Sequence, residues 1–265
     1  MSNAWFQNQI APDGVTADGC HPDEARALQL YINNRINLQD TAYAITRPLV
    51  SDEDPDRGDQ PLWVLIQDAL LEFCPTYIPD LISLLQAIDG LLERELGPKN
   101  PKSTSTDCES TWKGLPISGH LWADIYRQDC WRENLATELS ELRAAHIRQA
   151  NVAARLSAPN VKLLPLDWAY ETITNALETN APILDFEIPA VIEWIDIVGK
   201  ELYRGAKEGE ESWALCRKRL NGTREKRMSL KRWESWLEKI REHQQQSDIA
   251  EITKRLSAEM GKLEH

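Results

Sequence analysis

Apolar residues recur at spacings of three and four along most of the chain, which is the pattern of amphipathic helices. One such run covers residues 23–38, and the longest covers Gly119–Ala158 without an internal proline. Stretches with alternating polar and β-branched residues, which predict strands, are almost missing. We therefore predict an all-α, compact multi-helix domain without a substantial sheet.

Ten tryptophans are expected to act mainly as large anchors of this helical core. Five lie in or beside apolar helical faces or proline-bounded turns and are predicted to be mostly buried: Trp112, Trp122, Trp168, Trp194 and Trp233.

Composition shifts along the chain suggest a simple domain organisation. Residues 1–20 are polar and predict a flexible N-terminal arm, followed by a single helical domain over residues 21–262. The polar, proline-containing loop 98–110 leaves a sub-division of that domain open. We interpret residues 263–265, Leu-Glu-His, as the remnant of a vector-encoded tag.

Charge and cysteine usage restrict the compartment and the chemistry. The chain carries 42 acids and 30 bases, and its five cysteines are dispersed and odd in number, which favours reduced thiols. There is no apolar run of about 20 residues and no signal-like N-terminus, so we expect a cytoplasmic protein without membrane association.

Motifs of common catalytic folds are missing. The chain has no Gly-x-Gly-x-x-Gly, no Gly-Lys-Ser/Thr, no His-Glu-x-x-His and no Gly-x-Ser-x-Gly sequence. This argues against nucleotide-loop enzymes, zincins and α/β-hydrolases, and we expect neither a metal nor a cofactor.

Acidic residues on one predicted helix form the first candidate site. Glu193 and Asp196 step along one flank beside Trp194, and Glu201 begins another flank. Paired carboxylates near a tryptophan suit the binding of a cationic substrate or acid–base catalysis. An ordinary solvated helix face remains the alternative.

A base-rich segment is the strongest physical signal. Residues 217–232 hold eight bases and one acid, whereas the rest of the chain has a balance of −19. Such a patch suits RNA phosphates, with Trp213, Trp233 and Trp236 nearby for stacking or packing. The candidate phosphate-binding residues are Arg217, Lys218, Arg219, Arg224, Lys226 and Arg227. The alternative is a surface loop whose bases pair with the surplus acids of the protein.

Several motifs in order carry a family resemblance over about residues 60–240. They are Trp112–Pro116, Asn151–Leu156, Ser229–Trp236 and the pairs Glu193-Trp194 and Leu202-Tyr203. The chain resembles the OpdG-like domain of unknown function of filamentous fungi. This resemblance implies an all-helical, cytosolic fungal protein of secondary metabolism, and it brings no catalytic signature.

A looser similarity is to fungal arginine-containing cyclodipeptide synthases, which join aminoacyl groups delivered by tRNA. It implies an aminoacyl-tRNA-dependent, peptide-bond-forming transferase. Glu193, Asp196 and Glu201 would be its catalytic carboxylates and would hold an arginyl guanidinium by bidentate pairing, with Trp194 and Tyr203 binding substrate. An Asp-Asp-x-x-Glu element that we associate with these synthases does not occur in the chain.

A non-catalytic helical scaffold or partner-binding protein is the alternative function, and the oligomeric state stays open. A pocket lined by tryptophan and acid beside residues 217–232 would favour the enzyme. A closed core with bases scattered around its outside would favour the scaffold.

Overall fold

The computed structural model describes most of the helical part of the chain. The described residues are 2–50, 60–91, 115, 122–123, 130–179, 183–216, 226–244 and 249–264, with the backbone alone for residues 17, 50 and 130–139. Within these ranges all regular elements are helical, apart from one isolated antiparallel bridge between Glu211 and Arg227. The predicted all-α class is confirmed.

Ten α-helices occur in the described part of the chain, which divides into two compact units, residues 1–130 and 131–265. The helices are α1 Asn3–Ile10, α2 Pro22–Ile32, α3 Leu38–Val50, α4 Gln60–Glu72, α5 Ile78–Asp89, α6 Cys130–Ser157, α7 Asp167–Leu177, α8 Leu184–Glu208, α9 Leu230–His243 and α10 Ala250–Lys262. Short 3-10 turns cover Pro12–Gly14, Thr16–Asp18, Pro75–Tyr77 and Trp213–Cys216.

The first unit packs helices through the apolar faces that the sequence indicated. Helix α3 contacts both α2 and α5, and α4 contacts α5. Their shared core is made of aliphatic side chains with almost no exposure: Leu28, Ile45, Leu62, Leu65, Ile66, Leu81 and Leu84. Burial of these helical stripes supplies the main stabilisation of the unit.

The N-terminal residues are helical where the sequence suggested an arm. Phe6 of α1 is buried, and the ring of Trp5 lies edge-to-face on Phe73, with 4.5 Å between centroids. The Trp5 Nε1–H also donates to Glu72, at 2.7 Å. These contacts fasten α1 to the end of α4. Loop 98–110 lies outside the described residues, so the single-domain interpretation stays a prediction.

Helix α8 is the central element of the second unit, since it contacts α7, α9 and α10. The core around it holds Trp194, Trp233, Trp236, Tyr170 and Phe186, all with under 2% exposure. Of the five tryptophans predicted to be buried, four are buried, and Trp112 lies outside the described residues.

The C-terminal residues belong to this packing. A Cβ placed on Gly199 of α8 would lie 2.8 Å from Leu263 Cδ1. Leu263, which the sequence suggested was a tag residue, therefore lies directly against the backbone of α8.

A polar cluster ties α9 to the end of α7. Arg232 donates to both carboxylate oxygens of Glu178, at 2.8 and 2.9 Å, and the two side chains are only 11% and 12% exposed. Trp236 donates its indole N–H to Glu178 at 2.5 Å, and Lys239 donates to the Leu177 carbonyl at 2.6 Å. The cluster satisfies a carboxylate that would otherwise be costly to bury.

The positions of these charges have an electrostatic reason. Glu178 is the C-cap of α7, and Arg232 lies in the first turn of α9, which Ser229 caps. The C-terminal end of α7 is partly negative and disfavours the anionic Glu178, and the N-terminal end of α9 is partly positive and disfavours the cationic Arg232. Each charge is instead favoured by the end of the other helix. Pairing across the two helix ends therefore turns two unfavourable placements into a favourable one.

A close approach at Gly205 allows a second polar contact in this unit. Tyr170 donates its hydroxyl to Glu210 at 2.7 Å, and burial raises the pKa of that hydroxyl. A Cβ at Gly205 would lie 2.3 Å from Glu210 Oε2 and 2.4 Å from the Tyr170 hydroxyl. Only glycine leaves room for this hydrogen bond against the α8 backbone.

We expect Gly205→Ala to lower the free energy of unfolding, because the clash costs about 1–3 kcal/mol. That cost exceeds the roughly 0.5–1 kcal/mol that alanine gains over glycine inside a helix. The matched control is Gly261→Ala in α10, where a Cβ meets nothing within 4 Å and the helix gain should appear alone. Urea denaturation followed by circular dichroism measures both, and equal stabilisation by the two changes would disprove the close approach.

We expect Arg232→Met to destabilise the protein by about 3–5 kcal/mol, because it leaves the carboxylate of Glu178 buried without its ion-pair partner. The neighbouring Lys231 is exposed, so Lys231→Met should change the free energy of unfolding by no more than about 0.5 kcal/mol. The same denaturation experiment compares the two variants. Equal midpoints for both would show that the pair contributes nothing to stability.

Candidate nucleic-acid interface

The predicted catalytic carboxylates lie along α8 but have separate surroundings. Glu193 is half-buried and accepts a hydrogen bond from Asn151 Nδ2 at 2.6 Å, while Asp196 is exposed and ion-paired with Arg255. Glu201 is half-buried and lies about 12 Å from Glu193 along the helix axis, because each residue of a helix rises about 1.5 Å. The structure thus distributes the three carboxylates along the helix and gives two of them protein partners.

The two predicted substrate-binding aromatics are in packed positions. Trp194 has 0% exposure and belongs to the core. Tyr203 is half-buried, and the centroid of its ring lies 5.3 Å from the ring centroid of Trp233. The Lys207 ammonium lies 4.3 Å from the same Tyr203 centroid. Their neighbours are other parts of this unit, and the structure does not bring the pair together with the carboxylates into one pocket.

Residues 210–212, which precede the base-rich segment, are held side by side with residues 226–228 inside it, and we call these two stretches the paired flanks. Glu211 and Arg227 form the antiparallel bridge, Ser212 N–H donates to the Lys226 carbonyl at 3.0 Å, and Met228 N–H donates to the Glu210 carbonyl at 2.7 Å. The exposed Lys226 and Arg227 are therefore held next to the stretch that leads into Trp213.

Asp167, the first residue of α7, anchors this place. Its Oδ1 accepts the Ser212 hydroxyl at 2.6 Å and the Trp213 backbone N–H at 3.2 Å. The Ser212 hydroxyl in turn accepts the Ala214 N–H at 3.2 Å, so the 3-10 turn Trp213–Cys216 starts from a satisfied cap.

The bases in the described part of the segment divide into two groups. Lys226, Arg227 and Lys231 are exposed, whereas Arg232 points inward to Glu178. Arg227 also pairs with Glu211 at 2.8 Å, with both side chains more than 60% exposed. The other predicted phosphate-binding residues lie outside the described residues: Arg217, Lys218, Arg219 and Arg224.

Of the three tryptophans considered for stacking, one is at the surface. Trp213 is 41% exposed, while Trp233 and Trp236 are buried. The Trp213 ring lies edge-on to that of Trp168, with centroids 5.2 Å apart and planes at 78°. The structure therefore places an exposed indole beside the paired flanks.

Two residues important for this surface were not found from the sequence. Asp167 and Glu178 lie at the two ends of α7 and hold Ser212, which precedes the segment, and Arg232, which is its last residue. An acid in the first turn of a helix was a visible signal for Asp167. No local pattern indicated Glu178, whose partner lies 54 residues away in sequence.

Metal ligation, membrane spans and pockets in the described residues bear on the kind of site that this protein has. Within the described ranges, no group of three or more His, Cys, Asp or Glu side chains is arranged to hold a metal ion. None of the helices in the described part combines the length and apolar composition needed to cross a bilayer. A pocket of about 500 Å³ between α1 and α2 is lined by Phe6, Ile10 and Arg26 among others, and includes none of the predicted site residues.

Two of the motifs that carried the family resemblance, Asn151–Leu156 and Ser229–Trp236, serve as helix contacts in the second unit. Asn151 joins α6 to Glu193, and the Ser229–Trp236 stretch supplies the N-cap of α9, the ion pair to Glu178 and two core tryptophans. No curated protein and no solved structure matches the chain significantly. A family profile matches residues 68–240, more than half of the chain, and the chain therefore belongs to the family described as "Protein of unknown function (DUF3632)".

Proposed function

We propose that this protein binds RNA, with tRNA as the ligand, through the phosphate backbone and the base-rich segment 217–232. The observation that carries the proposal is the pairing of residues 210–212 with residues 226–228, which holds the exposed Lys226 and Arg227 beside the turn that carries the exposed Trp213. Lysine and arginine gathered at one surface neutralise several phosphates together and release their counterions.

Because the remaining chain is acidic, affinity for RNA depends on the base-rich segment. Outside residues 217–232 the balance is −19, so the rest of the molecule repels nucleic acid on average. Affinity for RNA must therefore arise locally, and it should disappear when the local bases are neutralised.

A finer form of the proposal follows from the resemblance to the fungal OpdG-like family and to arginine-containing cyclodipeptide synthases. In this form a cytosolic protein of secondary metabolism takes two aminoacyl-tRNAs, one of them arginyl. Two ester bonds to tRNA break, two amide bonds of a cyclic dipeptide form, and two uncharged tRNAs leave. In this form Glu193, Asp196 and Glu201 would bind the arginyl guanidinium, and Asp196, which pairs with the Arg255 guanidinium in the structure, would exchange that partner for the substrate.

The helical scaffold is the second candidate function, and specific contacts favour it. Arg227 pairs with Glu211 and Arg232 with Glu178, so two bases of the segment already have acidic partners in the protein. The tryptophans beside the segment are mostly in the core.

We expect tRNA affinity to fall steeply with salt, and the combined change of Arg224, Lys226 and Arg227 to glutamine to flatten that dependence. Each lost phosphate contact removes about 0.7–0.9 from the log–log salt slope, so the slope should fall by roughly two to three units. Fluorescence anisotropy of labelled tRNA at several salt concentrations measures the slope.

The matched control removes three exposed lysines of the same unit outside the segment: Lys200, Lys207 and Lys254. Their combined change to glutamine alters the net charge equally and should leave the slope nearly unchanged. If the unaltered protein does not bind tRNA at low salt, RNA binding is refuted and the helical scaffold is the function that remains. Binding that survives the first triple change would move the site elsewhere.

We expect the protein incubated with charged tRNAs to release an arginine-containing cyclic dipeptide, detected by mass spectrometry. Glu193→Gln should reduce the rate by about 10²–10⁴-fold, the usual range for a lost acid–base group, while still accepting the hydrogen bond from Asn151. Glu251→Gln, which changes an exposed acid in α10, is the control and should leave the rate unchanged. If the protein binds tRNA but releases no cyclic dipeptide, the synthase form of the proposal is refuted and RNA binding stands.

A further inference from the structure

The exposed indole beside the base-rich segment is a second, different kind of nucleic-acid contact. Trp213 is 41% exposed, whereas most other described tryptophans are buried. Leaving so much of an indole in water forgoes the burial that tryptophans usually obtain, and such exposed aromatic surface commonly serves a binding function.

The indole is held in place from two sides. Its backbone N–H donates to Asp167 Oδ1 at 3.2 Å, and its ring meets the buried Trp168 edge-on at 5.2 Å between centroids. A ring fixed in this way loses little conformational entropy when a flat ligand stacks on it.

Positive charge lies on the chain that pairs with the residue before Trp213. Ser212 donates its N–H to the carbonyl of Lys226, and the Lys226 side chain is exposed. Two described acids of this region already have partners, since Asp167 accepts two hydrogen bonds and Glu211 is paired with Arg227. A flat aromatic face next to a cation matches a nucleotide, which has a flat base and an anionic phosphate.

We propose that Trp213 is a stacking platform for an unpaired base, so that the site takes single-stranded RNA, such as a free end or a loop, in preference to duplex. This inference rests on the proposed RNA-binding function. In a duplex the base faces are covered by neighbouring bases, and an indole at the protein surface cannot reach them. The basic segment supplies affinity for either form, and Trp213 supplies the preference.

The test compares a short unstructured oligouridine with a blunt-ended RNA duplex of similar length, using anisotropy. Trp213→Ala should weaken oligouridine binding about thirtyfold, the middle of the range for loss of one base–aromatic stack. Duplex affinity should change by less than about twofold, since no phosphate contact is lost. The salt slope for both RNAs should stay the same for that same reason.

Two further variants separate stacking from folding and from general apolar contact. Trp213→Phe keeps an aromatic face and should retain most of the oligouridine affinity. Val15→Ala, far from the segment in sequence, removes a side chain that is 46% exposed but has no aromatic face, and it should leave both affinities unchanged.

The outcomes separate this inference from the function on which it rests. Wild-type protein that binds neither RNA would overturn both. Wild-type protein that binds both RNAs with affinities that Trp213→Ala leaves unchanged, or weakens equally, would overturn the stacking platform and leave RNA binding in place.

Discussion

The bidentate ion pair between Glu178 and Arg232 is the contact on which the organisation of the second unit depends. It is nearly buried, it joins the C-terminal end of α7 to the first turn of α9, and it receives a third hydrogen bond from Trp236. Two buried charges are tolerated only when geometry and additional hydrogen bonds compensate for the lost hydration. Here each charge also lies at the neighbouring helix end that favours it, which makes one relative placement of α7 and α9 much better than others.

This pairing also determines which bases of the segment can face a ligand. Arg232 belongs to the interior, while Lys226 and Lys231, only six and one positions earlier, are at the surface. A run of bases that looks uniform in the sequence is thus divided by the fold into a structural residue and exposed ones. The same division gives the basic and aromatic residues of the Ser229–Trp236 stretch different structural positions, with Arg232, Trp233 and Trp236 directed inward and Lys231 exposed.

The sequence was sufficient for the helices and much of the core, because burial of one helix face imposes a local period that can be read directly. It missed α1, which has only eight residues and is followed by proline and glycine, so its apolar positions are too few to show a period. It also extended the first run to residue 38, whereas α2 ends at Ile32 and a separate helix, α3, begins at Leu38. The site was harder, since exposure is a tertiary property. Nothing local distinguishes the exposed Trp213 from the buried Trp233, and the partners of Ser212 and Arg232 lie 45 and 54 residues away.

Helix α7 carries the attachments of both ends of the surface, through Asp167 at its first residue and Glu178 just after its last. The helix is 11 residues long, so these two attachments are about 16 Å apart. A local opening of α7 would therefore release both ends in a single event, whereas fraying of one end would release only one. We therefore expect the surface and the helix beneath it to open as one cooperative unit in hydrogen exchange, so that a ligand bound across the surface slows amide exchange inside α7 without contacting it.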